Sequence, residues 1–102
     1  VKQTIFNEEK ESEKGIKWVL EKARDLFKDN KELILANPTL CPLRQLQALT
    51  MTIVLPSYVE LTMTLSSMAM VFEFADKPIA HKECERLINY LVLYRKEGGG
   101  RK

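Results

Sequence analysis

The stretch LTMTIVLPSYVELTMTL, residues 49–65, decides the fold. It spells Leu-Thr-Met-Thr at 49–52 and again at 61–64, with Pro56 and Ser57 between the two copies. Read with a period of two, Leu49, Met51 and Ile53 alternate with Thr50 and Thr52, and threonine favours strands. The stretch would then be a β-hairpin. The turn argues against it. Tight hairpin turns need positive φ, whereas a proline ring holds φ near about −65°.

Read with a period of 3.6, no such conflict arises. Ser57-x-x-Glu60 directly after Pro56 is a capping box, the signature of a helix start. Beyond it, Tyr58, Leu61, Leu65, Met68, Ala69, Phe72 and Ala75 fall within an arc of about 120°. A hairpin has no reason to keep that period so long. Upstream, Pro42 suits a first helical turn, and Leu43, Leu46, Leu49, Thr50, Ile53 and Val54 share a face. The helical reading is therefore adopted on both sides of Pro56. The repeated tetrapeptide is a coincidence of composition, since nothing around it repeats.

Working outward, Ile16, Val19, Leu20, Ala23, Leu26 and Phe27 mark one face of an earlier helix. Ser12 is a suitable N-cap for it and Asn30 a suitable stop. KELILAN adds a short helical turn before two prolines break the chain. After ADKP, with Asp76 as a cap and Pro78 in the first turn, Ile79, Ala80, Cys84, Leu87, Ile88, Leu91 and Tyr94 form a last apolar face. The spacing predicts an all-α bundle of about four helices, at 12–30, 42–55, 57–75 and 78–96. They form a single domain over 12–96, between a polar arm at 1–11 and a glycine-rich tail at 97–102.

Composition bounds the rest. The chain has 102 residues, enough for one core. Residues 1–32 carry eight acidic and eight basic side chains, residues 33–75 only Arg44, Glu60 and Glu73, and residues 76–102 seven basic and four acidic. The middle of the chain is thus the core and its ends face water. The net charge of +2 is too small to imply nucleic acid by itself. Two cysteines make no disulfide framework and suggest a reducing, intracellular setting, cytoplasmic or nuclear. No signal peptide is visible, and Val1 in place of an initiator Met suggests a processed product or a piece of something larger. Glu60, Pro56 and several Ser and Thr interrupt residues 45–72, so no membrane span is expected.

Motifs for chemistry are weak. His81-x-x-Cys84 sets two metal ligands, or a nucleophile and base, one helical turn apart, with Cys41 as a third group. A structural zinc site needs four ligands and an acyl-transfer site needs an oxyanion cradle. The chain has one His, and only Gly15 precedes the tail's glycines. Phosphate-loop, dinucleotide and nucleophile-elbow patterns are missing. The expectation is a non-enzyme without metal or cofactor.

Two features break the one-sided pattern and suggest a partner. Trp18 lies about 140° from the centre of its helix's apolar stripe, between Lys14 and Lys22. It would stack on a base or anchor a protein, unless Ile5 and Phe6 of the arm fold back over it. On the third helix Val59, Met63, Met70 and Phe74 form a second stripe opposite the first. That helix is either central to the bundle or carries an interface. The leading expectation is a protein-interaction or oligomerisation module using Trp18, Val59, Met63, Met70 and Phe74, with a second copy of the chain as one candidate partner. The alternative is an RNA-binding helical domain, viral or regulatory, using Lys14, Lys22, Lys82, Arg86 and Lys96 with Trp18.

Overall fold

A computed structural model describes residues 8–51 and 56–96, with side chains from Gly15 to Arg95 within them. Every secondary-structure element among the described residues is helical, with no strand. The order is α1 (Glu8–Asp29), α2 (Lys31–Leu35), a 3₁₀ turn (Leu43–Leu46), α3 (Gln47–Thr50), α4 (Tyr58–Phe74) and α5 (Pro78–Lys96).

The proline junction starts a helix as its capping box requires. Ser57 is extended (φ −75°, ψ 166°), and its Oγ accepts from the Glu60 amide. Glu60 Oε1 in turn accepts from the Ser57 amide at 3.0 Å. Two of the orphan donors at the helix start are thereby satisfied. The second Leu-Thr-Met-Thr lies wholly inside α4.

Three boundaries differ from expectation. Helix α1 begins at Glu8, so residues 8–11 of the supposed arm are helical and Ser12 lies inside the helix rather than capping it. Acidic residues at 8, 9 and 11 favour a helix N-terminus through the macrodipole. The arm's remainder, the tail at 97–102 and residues 52–55 lie outside the described residues.

The helix expected over 42–55 is instead the 3₁₀ turn followed by the single turn α3, after which Met51 is extended (ψ 135°). Arg24 of α1 donates from its guanidinium to Leu49 O and Met51 O, both at 3.3 Å. Thr50 Oγ1 donates back to Leu46 O at 3.1 Å.

Asp76, expected to cap α5, closes α4. Its φ is +59°, the left-handed region. The Lys77 amide donates to Phe72 O at 2.8 Å and the Asp76 amide to Glu73 O at 3.2 Å, the paired bonds of a Schellman motif. Lys77 then takes the capping position of α5, its carbonyl accepting from the His81 amide.

The core draws Val19, Leu20, Ala23 and Phe27 from α1, Ile34 from α2, and Leu46 and Leu49 from the turn region. Leu61, Leu65, Met68, Val71 and Phe72 come from α4, and Cys84, Leu87, Tyr90 and Leu91 from α5. Helices α4 and α5 form a closely packed antiparallel hairpin, and α1 lies across both. Helix α4 also meets α2, α3 and the 3₁₀ turn, so its inner side is the floor of the domain.

Candidate interaction surface

Helix α4 is apolar on opposite sides, and the two sides meet different fates. Leu61, Leu65, Met68 and Phe72 are completely buried. Val59, Met63, Met70 and Phe74 remain 53%, 49%, 51% and 75% exposed. The outer four fall within about 60° of arc, giving a stripe about 22 Å long at 1.5 Å per residue. Ser66 and Ser67 sit at its midpoint, both outside the core. Within the described chain α4 is therefore not the enclosed central helix that would have covered this stripe.

Other large apolar side chains also face solvent, among them Leu43 at 69% and Ile79 at 79%. Scattered exposure of that kind is ordinary. The α4 stripe differs because its members follow one another along one helix face without a charge among them.

Trp18 is 37% exposed. Its ring meets Tyr90 of α5 edge-on, with centroids 5.0 Å apart, and Tyr90 stacks on Tyr94 at 6.0 Å. Part of its surface thus belongs to the α1–α5 packing. Its proposed cover, Ile5 and Phe6, lies outside the described residues. Trp18 and the α4 stripe are not brought together: one sits against α5's α1-facing side, the other on α4's outer side.

The basic residues are dispersed. Lys22 stands exposed at the mouth of an open groove of about 540 Å³, between the end of α1 and the α4–α5 corner. That groove also holds Asp25, Asp29, Asp76 and Glu83, so its charge is mixed. Arg86 pairs with Glu83 at 3.6 Å, and Lys82 is exposed. The side chains of Lys14 and Lys96 lie outside the described set. Arg95 contributes in a way the sequence did not suggest, its guanidinium lying 5.0 Å over the ring of Tyr58 and tying the end of α5 to the start of α4. The groove was equally illegible, because its acids come from three separated segments that only the fold brings near one another.

His81 and Cys84 have different surroundings. His81 Nε2 lies 3.9 Å from Glu85, whereas Cys84 is completely buried and Cys41 is 2% exposed. Burial pushes the Cys41 thiol up to about 11. Burial, reinforced by Glu83, Cys41 and Glu85, pushes Cys84 to about 12. In both, burial disfavours the thiolate, which is the reactive form. Among the described residues no three His, Cys, Asp or Glu side chains converge as metal ligands. No helix among them is long and apolar enough to cross a membrane.

Neither a family model, a curated protein nor a solved structure matches the chain.

Proposed function

We propose that this chain is a non-enzymatic helical protein-interaction or oligomerisation module, and that its working surface is the outer side of α4. One observation carries the reading: a 17-residue helix whose inner stripe is buried also presents four large apolar side chains to solvent on the other side. Helices apolar all round are normally covered all round. Full burial of such side chains is worth roughly 1.5–3 kcal/mol each, and about half of that remains to be gained here. Association costs several kcal/mol, about 4–15, so this stripe supports reversible rather than permanent pairing. Methionine at two of the four positions suits a surface that adapts to its partner. Trp18 is a smaller, separate patch on the same molecule.

The RNA-binding alternative gains no comparable support, because Lys22 and Arg86 stand among carboxylates that offset them. The buried, unpaired cysteines suit an intracellular setting.

The stripe is tested by Met63→Glu and Phe74→Glu. Each should leave the denaturation midpoint within about 0.5 kcal/mol of the parent, while Phe72→Ala on the inner side should cost about 3–5 kcal/mol. Losses above about 2 kcal/mol in both glutamate variants would return the stripe to the core and end this reading.

A further inference from the structure

Resting on that reading, we infer that the partner of α4 is a second copy of this chain, its own α4 lying antiparallel across a twofold axis at Ser66 and Ser67. A twofold interface must be self-complementary: if residue i meets j, then j meets i. The stripe satisfies this about its own midpoint. Val59 and Phe74 are equidistant from the Ser66–Ser67 bond, and so are Met63 and Met70. An antiparallel copy therefore sets Val59 against the large Phe74 ring at each end and Met63 against Met70 inside them. The two small serines fall where the helices approach most closely. A parallel copy would instead stack Phe74 on Phe74 and Val59 on Val59, leaving bulk unmatched at each level.

Charge points the same way. Glu60 and Glu73 are the only charged residues of α4, and both are exposed. By helical register they lie on opposite flanks of the stripe. In the antiparallel pair Glu60 of one copy and Glu73 of the other reach the same level but on opposite sides, so the like charges do not meet. The stripe itself buries no charge.

Chain outside the described residues is a poorer occupant. Residues 97–102 carry no apolar side chain, residues 52–55 are tethered at both ends, and residues 1–7 offer apolar groups only at 1, 5 and 6. Area sets the strength. The four exposed side chains present roughly 400–500 Å² per copy, at the upper end for a monomer's largest apolar patch. Pairing would bury roughly 1,000 Å² in total, the lower bound for a specific interface. The dimer should accordingly be weak, with Kd of order micromolar.

The test uses the full chain. Sedimentation equilibrium from about 1 to 500 μM should show the mass doubling, and Met63→Glu should weaken association at least about tenfold. Cysteine placement reads the register, because Cys41 and Cys84 are buried and will not interfere. Under mild oxidation Ser66→Cys should crosslink to itself. Val59→Cys and Phe74→Cys should crosslink when mixed and not when alone. Self-crosslinking of Val59→Cys as fast as the mixture overturns the antiparallel pair. A strict monomer at about 500 μM overturns the second copy. If Met63→Glu and Phe74→Glu then fold normally, the α4 surface still stands as an interaction site for another protein; if they unfold the chain, both readings fall.

Discussion

A Cβ placed on Gly15 would lie 2.5 Å from Cε1 of Tyr94, with Cδ1 and Cζ at 2.8 and 2.9 Å. The glycine is in the interior of α1, where it costs helix stability, and the sequence offered no other reason for it than proximity to a helix start. It is there because α1 and α5 cross closely at this point. Tyr94 cannot easily yield, since its ring stacks on Tyr90. Gly15→Ala gains about 1 kcal/mol of helix propensity and incurs about 1–3 kcal/mol of overpacking. A net loss near 1 kcal/mol is expected from urea midpoints. In a Tyr94→Leu background the same change should become neutral or stabilising.

Ser57 and Glu60 hold the start of α4 reciprocally, at 3.1 and 3.0 Å. Ser57→Ala should cost about 1 kcal/mol. Because the two bonds form one unit, Glu60→Ala added to it should cost less than the two single losses combined. Strict additivity in a double-mutant cycle would show that the box contributes nothing as a pair.

Thr64 and Thr62 are alike in sequence and differ in role. The Thr64 hydroxyl, 2% exposed, donates to Gln45 O at 2.6 Å, with Glu60 O within reach at 3.0 Å. It ties α4 to the 3₁₀ turn. Among the described residues the Thr62 hydroxyl bonds within its own helix, to Tyr58 O at 2.9 Å. Thr64→Val should destabilise by about 1–2 kcal/mol, leaving the partly buried Gln45 carbonyl short of a partner. Thr62→Val should stay within about 0.5 kcal/mol. Thermal midpoints of the two variants decide it.

The thiols predict an alkaline weakness. Their ordinary pKa of 9.0 is raised in the fold to about 11 for Cys41 and about 12 for Cys84. The unfolded chain thus loses these protons first. Their contribution is fully present below pH 9 and is lost progressively as pH rises through about 11 and 12. Stability should fall by up to roughly 1.4 kcal/mol per pH unit per thiol in that window. The Cys41→Ala/Cys84→Ala variant should show a shallower decline in urea midpoint between pH 9 and 11. At pH 8 a thiol reagent should leave the native chain unmodified and label both cysteines in denaturant.

Much of the architecture was legible because it is written in local chemistry. The capping box, the 3.6-residue rhythm of Leu61, Leu65, Met68 and Phe72, and the broad face ending at Tyr94 each depend on neighbours a few residues away. The segment 42–55 was read as one helix, and its described part proved to be a 3₁₀ turn and a single α-turn, because Leu43, Leu46 and Leu49 share a face in either geometry. The carbonyls of Leu49 and Met51 at the end of α3 accept from Arg24, 25 residues upstream of Leu49. Asp76 was misassigned for a related reason: the same residue type caps a helix start or takes the left-handed position at a helix end. The direction in which α5 leaves the corner selects between them.

The candidate surface divides along the same line. The sequence by itself determined that a helix starts directly after Pro56 and Ser57, and that this helix bears two apolar stripes, because helical period and capping are properties of near neighbours. Tertiary structure alone decided which stripe is enclosed. Helices α1 and α5 and the 3₁₀ turn all pack on the Leu61–Phe72 side, and no described element covers Val59, Met63, Met70 and Phe74. Burial is a property of the whole assembly of elements, and no single segment encodes it.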